Sequence, residues 1–365
     1  MKTVTEIVGG AQGLLDISFD LQSCFEEKLN ERQKTFLHML RCIESHMPPL
    51  YRPYAGTGRK PYHYLPFFRS HLAKLFFQIA TTTMLIERLK ADPNVRLLCG
   101  FAVIPGPARF SRAYRYLAET NMITGTHERL SKETFKDKVV YHMCRDSTAI
   151  SARETVPKKP VQTVEKRFLT RGRRPKTAKK REKQPTVMET QLPEAPSVSL
   201  EKLDKPCAFG CKKNSRGNIT YWKGYKLHLD VSDSGFPVTA VVTGANVQDS
   251  SLAIPMEKLT EQRITFCYTL MDAGYDAQRL RAFIENRGRV PIIDYKTRRN
   301  GERPVLDPAR QERYKIRTAV ERANSHLKDA LIPKAIYVKG HTKVSFVLLA
   351  AVLCLAALKH FQFLC

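Results

Sequence analysis

The stretch YWKGYKLHLDVSDSGFPVTAVVTGAN, Tyr221 to Asn246, decides the fold class. Tyr225–Val231 and Val238–Thr243 carry the aromatic and β-branched residues of two strands, and SDSG at 232–235 supplies the turn chemistry of a hairpin between them. Upstream, in KVVYHMCRDSTAI (138–150), Val139–Cys144 predicts a strand that delivers Asp146 at its tip. Downstream, a helical stretch from Asp249 to Gln262 leads into ITFCYTLMDAGYD (264–276), an apolar strand ending on Asp272. A helix over Ala277–Asn286, a strand in VPIIDYK (290–296), a polar loop and a further helix complete the order. One strand, a strand pair and then alternating helices and strands predict a mixed α/β fold with one central sheet. In such sheets ligands gather beyond the carboxyl ends of strands, where both aspartates are expected.

The last of these helices, YKIRTAVERANSHLKDA (314–330), holds an unusual stripe. At roughly 100° per residue, Arg317, Glu321 and Lys328 fall within about 60° of Tyr314. Ile316, Ala319, Val320, Ala323 and Leu327 form a separate apolar face that would pack on a core. The stripe is consistent with an ordinary solvated face, although Arg317 precedes Glu321 by four, the less favourable order for a helical ion pair. It is equally consistent with a carboxylate presented between cationic and phenolic groups. With Asp146 and Asp272, Glu321 would complete the hard oxygen ligands of a two-metal site gripping a phosphate.

Composition points to the same partner. Lys and Arg number 61 against 35 Asp and Glu, a formal charge of +26, which favours an extended polyanion, nucleic acid first. The amino terminus MKTVTEIVGG has neither a signal-peptide core nor a myristoylation pattern, so secretion and membrane anchoring are not expected. Nine cysteines, an odd number without paired CxxC spacing, suit reduced thiols in a cytoplasm, and Cys207 with Cys211 makes a poor zinc site. From Phe25 to Met47 apolar residues recur with helical spacing until the prolines at 48 and 49, and Pro66–Lys90 continues as apolar helix. In PARFSRAYRYLAE (107–119), Phe110, Tyr114 and Leu117 share one side and Arg109, Arg112 and Arg115 the other, as on a helix that is merely solvated or one that enters a DNA groove. Lys158–Lys183 holds twelve basic residues against two glutamates and no apolar periodicity, predicting a disordered basic insert that touches phosphates or is simply solvated. The run Val344–Leu358 carries no charge, but only Phe346–Leu358 is continuously apolar, too short to span a membrane, and a buried core helix is expected. Trp222 is expected to pack or to stack on a base, and Asp249, Asp276 and His228 to act as structural partners or caps.

DST at 146–148, GYKLHLDV at 224–231, DAGYD at 272–276 and the Tyr-x2-Arg-x3-Glu-x6-Lys pattern at 314–328 together resemble a bacterial insertion-sequence transposase of the DDE type. The resemblance implies an α/β ribonuclease-H-like core, a mixed central sheet flanked by helices, with an all-α amino-terminal domain. It implies a helical DNA-binding domain over 1–130, a discontinuous catalytic core over 131–154 and 216–335, the basic insert over 155–215, and a carboxyl-terminal core helix over 336–365. Asp146, Asp272 and Glu321 would then be the catalytic, metal-binding triad for two Mg²⁺ or Mn²⁺ ions. Tyr314, Arg317 and Lys328 would hold phosphates, and Arg109, Arg112 and Arg115 would contact transposon-end DNA. The implied activity is in-line cleavage of double-stranded DNA at the element's ends, then attack of the freed 3′-hydroxyl on target DNA by a homodimer in the bacterial cytoplasm. A silent transposase-derived DNA-binding protein and a nuclease without joining are the alternatives. Some relatives place a large β-rich insertion between the second aspartate and the glutamate, whereas here 48 residues separate Asp272 from Glu321 and the extra material follows Asp146.

Overall fold

A computed structural model describes residues 28–48, 63–157, 185–213, 217–296 and 304–364. The start of the first expected helix at Phe25 and the basic run 158–184 lie outside them. Every described element before the sheet is a helix: α1 Glu31–Ser45, α2 Leu65–Phe76, α3 Thr82–Ala91, α4 Pro93–Cys99, α5 Pro107–Glu119 and α6 Met122–Thr134. Local chemistry sets these boundaries. Asn30 and Gln33 form a capping box on α1, Thr81 caps α3, Asp92 caps α4, and Gly100 ends α4 in the left-handed conformation. The continuous helix expected over Pro66–Lys90 is therefore two helices, broken at 77–81 where Gln78 adopts φ 58° and Thr81 starts a new cap. The segment ADPNVRLLCGF (91–101) that follows contains a short helix because Asp92 and Pro93 initiate one.

The sheet follows: β1 Val139–Ser151, β2 Ala208–Lys213, β3 Ile219–Ser232, β4 Pro237–Gly244, β5 Thr265–Met271 and β6 Val290–Ile293. Its order is β2-β3-β1-β5-β6 with β4 also on β3; β1 pairs antiparallel to β3 and parallel to β5, and β5 parallel to β6. This mixed sheet with helices on its faces fits a ribonuclease-H-like α/β core. Two expectations are corrected. Asp146 is not at a strand tip: β1 runs on to Ser151, because residues 146–151 keep pairing with 229–224 of β3. Nor is all of 155–215 disordered. Within it α7 Val187–Gln191, α8 Pro196–Glu201 and β2 are built onto the fold, α7 by a Thr186–Glu189 capping box and β2 by pairing with β3.

Strand alternation sorts the two faces of the sheet. On one face α9, Ala253–Glu261, covers Arg145, Asp230 and Thr269, meeting Arg145 and Thr269 through Glu257 and Asp230 through Thr260. After β5, α10 Gln278–Glu285 lies on the same side, with Leu280 and Ile284 buried against Ala253, Ile254 and Met271. The opposite face receives α11 Pro308–Tyr314 and α12 Thr318–His326. The final helix, α13 His341–Leu364, packs on α1, α2, α5, α6 and β4 and is buried from Ala350 to Ala357. It is longer than its uncharged run, and by length and composition long and apolar enough to cross a membrane. Yet 67% of its apolar window is buried inside the fold, as a central core helix requires.

Candidate active site

The site is built on the alternation at Arg145 and Asp146. Arg145, fully buried, donates to both Asp230 oxygens at 2.6 Å, to Glu257 at 3.0 Å and to the Ala253 carbonyl at 2.7 Å. Thr260 donates to Asp230 at 2.6 Å and Thr269 to Glu257 at 3.0 Å, so the buried charges share a dense set of partners. This network ties β1, β3 and α9 together beneath the sheet. One residue on, Asp146 therefore projects from the other face at a fixed position.

Arg145 is the parallel partner of Met271, so Asp146 and Asp272 follow side by side on neighbouring strands. Asp272 ends β5, and its Oδ1 accepts the Gly274 N–H at 2.9 Å, which orients the carboxylate. Burial pushes the Asp146 carboxyl up to about 6, and Asp272 adds to the rise by like-charge repulsion. Burial likewise raises Asp272, against the pull of Gly274 N–H and Arg317. Two half-buried carboxylates that resist ionising together form a cation-seeking pair.

Facing them is the segment read as a straight helix over 314–330. It begins earlier, at Pro308, where Asp307 caps α11; it tightens into a 3-10 turn over Lys315–Arg317, continues as α12, and widens into a π turn over Leu327–Leu331. The uniform 100° stripe is thus interrupted twice. Contacts to the sheet account for the first change: the Cys144 thiol donates to the Ile316 carbonyl at 3.5 Å, and Arg313 lies 4.3 Å over the Tyr268 ring. Ala319, Val320, Ala323 and Leu327 are buried as expected, while Ile316 is only half-buried.

The candidate residues divide into two sets. Asp146, Asp272, Arg317 and Tyr314 converge. Although burial works against its charge, Arg317 is held firmly protonated by Tyr314, Asp146, Glu321 and Asp272, and its guanidinium lies 5.7 Å over the Tyr314 ring. Glu321 is half-exposed and ion-paired to Arg317. Among the described residues no three His, Cys, Asp or Glu side chains are grouped so that they could hold a metal ion, so Glu321 has not joined the aspartates in this arrangement. Lys328, exposed in the π turn, is near enough for Asp146 to act on its charge. Arg112 and Arg115 are exposed on α5, and Arg109 is half-buried.

The residues present suit hard divalent cations. Besides the two aspartates, Asn324, three residues after Glu321, donates to Asp146 Oδ2 at 3.4 Å, and its own buried Oδ1 has no hydrogen-bond partner among the described residues. An orphaned amide oxygen beside two carboxylates is a further hard oxygen donor. Asn324 went unread in the sequence, although its place in the same helical segment marks it as a neighbour of Glu321. The Arg145 network was also missed. Elsewhere, Asp249 accepts from Lys226 at 3.0 Å and lies 3.8 Å from His228, and Asp276 accepts from Arg281 at 3.0 Å, both in structural roles. Cys207 and Cys211 are free thiols, and Trp222 packs across Gly210, where a Cβ would strike the indole.

The family description "Transposase DDE domain" matches residues 144–356, more than half of the chain and both aspartates with it. The chain belongs to the DDE transposases. A second description, "Transposase domain (DUF772)", matches residues 24–115 of this transposase, within the helical segment. The chain is also 29% identical over 90 residues to a protein named as the transposase for insertion sequence element IS402 of Burkholderia cepacia. That similarity covers 21% of this transposase and 41% of the relative, less than half of the latter's length. No solved structure matches the chain.

Proposed function

We propose that this transposase cleaves double-stranded DNA at the ends of an insertion sequence and joins the freed 3′-hydroxyls to target DNA. The observation that carries the proposal is the placement of Asp146 and Asp272 one residue beyond the parallel-paired Arg145 and Met271 of β1 and β5, with Arg317 acting on both. Asp146, Asp272 and Glu321 would hold two Mg²⁺ or Mn²⁺ ions, which when bound supply the positive charge that in-line displacement at a phosphate requires. The protein's own residues then divide the remaining work. Arg317 neutralises the aspartates and occupies Glu321 in the free chain, and an incoming phosphate competes for its guanidinium and frees Glu321. Tyr314 and Lys328 hold the phosphates beside the scissile bond, and Asn324 fixes the Asp146 carboxylate. Arg109, Arg112 and Arg115 on α5 contact the end DNA, the helices before β1 forming the DNA-binding domain over 1–130. The 131–154 and 216–335 segments form the core, and a homodimer acts on the two ends.

The test is incubation of the full chain with candidate end DNA and Mg²⁺, comparing wild type with Glu321→Gln. Both bind DNA, while only wild type cuts it and forms the joined product on a labelled end. Equal cutting by Glu321→Gln removes Glu321 from the reaction, and cutting without joined product reduces the activity to that of a nuclease.

A further inference from the structure

α11 and the 3-10 turn that follows it bury no side chain of their own. Yet this segment carries Tyr314 and Arg317 to the aspartates, so specific contacts rather than a fully buried apolar face must hold it in place. Those contacts come from β1, where His142, Cys144 and Asp146 alternate onto one face. Arg313 donates to His142 Nε2 at 3.1 Å, the Cys144 thiol to the Ile316 carbonyl at 3.5 Å, and Asn324 to Asp146 at 3.4 Å. Strand and helical segment are thus fastened in step, with His142 at the end away from the aspartates.

The His142 fastening joins four pieces of the fold. Arginine only donates, so Nε2 is the acceptor and the ring proton sits on Nδ1, 3.4 Å from Asp233 Oδ2. Asp233, in the turn between β3 and β4, also accepts the His142 backbone N–H at 3.2 Å and returns its own N–H to the His142 carbonyl at 3.0 Å. Tyr268 of β5 stacks on the imidazole at 5.2 Å, and the Arg313 guanidinium lies 4.3 Å over the same phenol ring. Among the described residues Arg313 has no carboxylate partner, so its anchor is a neutral lone pair and a ring face.

We propose that His142, braced by Asp233, is a positioning residue of the cleavage centre: it holds Arg313 and thereby seats the turn that presents Tyr314 and Arg317 to Asp146 and Asp272. The proposal rests on the DNA-cleaving function above and extends it to a residue outside the motif stretches. His142 makes no contact with the reacting atoms and acts only through Arg313.

Such an anchor lasts only while the imidazole is neutral. The titratable and charged groups facing it are Asp233 from the turn, Arg313 from α11 and Tyr268 from β5, with Tyr141 beside it on β1. Burial holds the ring below the ordinary histidine value of 6.5, Asp233 pulling upward and Arg313 adding to the fall. The contact is therefore whole above pH 6.5 and is lost as the pH falls below it, when a protonated ring has no lone pair to offer and repels the guanidinium.

The experiment uses the full chain in two arms. In the first, hydrogen exchange of residues 312–318 in the free chain, corrected for the intrinsic rate, is followed from pH 5 to 8. Wild type loses protection severalfold below pH 6.5. His142→Phe, which keeps a ring against Tyr268 but no acceptor, lacks that protection at every pH, while β3 keeps its own as the control for folding. His142→Gln, whose amide oxygen replaces Nε2 and takes up no proton, stays protected throughout. Asp146 titrates in all three chains, so the differences belong to His142. In the second arm, cleavage of candidate end DNA with Mg²⁺ shows kcat lowered roughly tenfold in His142→Phe, the scale of a lost hydrogen bond to a charged group, with KM unchanged and His142→Gln restoring the rate. His142→Phe combined with Arg313→Met is no slower than Arg313→Met alone. Unchanged protection and kcat in His142→Phe, or a loss that His142→Gln does not repair, overturns the positioning role and leaves the transposase function standing. A wild type that cuts no end DNA overturns the cleavage reading, and the exchange arm still decides whether His142 holds the turn.

Discussion

Arg145 and Asp146 are neighbours in the chain with separate tasks, because a strand sends successive side chains to opposite faces. Arg145 belongs to the interior. Replacing it with Met leaves Asp230 buried without its cation and Glu257 with Arg289 alone, at 3.2 Å, which costs about 3–5 kcal/mol; urea unfolding at neutral pH measures it, and a loss below about 1 kcal/mol contradicts the role given to the network. Asp146 behaves in the opposite sense. Its proton leaves near pH 6 in the folded chain, against an ordinary value of 3.8, so folding is favoured while the carboxyl is protonated and that advantage is lost as pH rises from 3.8 through 6. Asp146→Asn is therefore expected to stabilise the chain at pH 7.5 by on the order of 1–3 kcal/mol, with a smaller gain at pH 4.5. Unfolding midpoints at the two pH values decide the matter, and a variant less stable than wild type at pH 7.5 removes the strain assigned to this carboxylate. Such a residue is kept at a stability cost for what it binds.

At the scale of elements, backbone geometry decides which side chains reach the site. The 3-10 turn between α11 and α12 brings Arg317 to the aspartates, and the helix geometry after it leaves Glu321 beside Arg317. The pairing of β1, β2 and β3 around Gly224 depends on backbone geometry in the same way. Gly224→Ala adds a Cβ against the Ile150 carbonyl in a conformation that alanine avoids, and should destabilise the protein by at least about 1 kcal/mol. The damage should be local first. Hydrogen exchange is expected to show lost protection in β2 and residues 219–224 while β5 keeps its own, and uniform protection in the variant contradicts the close backbone approach at Gly224. Much at this scale was legible in advance: the hairpin chemistry at 232–235, the strand before Asp272 and the buried face Ala319, Val320, Ala323 and Leu327 all lie where the residue pattern put them. What escaped has physical causes. β2 is short and lies in a polar, basic stretch, so its pairing with β3 leaves no local hydrophobic period. β1 continues past Asp146 because β3 is there to pair with it, a fact of another segment.

For the whole molecule, the carboxyl-terminal helix is the joint. One continuous apolar core runs from Leu29 on the approach to α1, through the sheet, to Ala357 on α13. The helices before β1 and the sheet thus share buried surface and are expected to melt together. Leu353→Ala, at a fully buried position of α13, should cost about 2–5 kcal/mol and lower a single calorimetric transition. Two separated transitions in the wild type would show that the segments are stabilised independently.

By itself, the order of residues determined the alternation of strands and helices, the sheet's mixed class, the acids worth watching and the cationic bias, because side-chain periodicity and charge are local properties. Only the folded chain decided that Asp146 and Asp272 stand on neighbouring strands and that Arg317 holds Glu321 apart from them. Those are meetings between segments far apart in sequence, set by strand register and burial, and no local pattern encodes them.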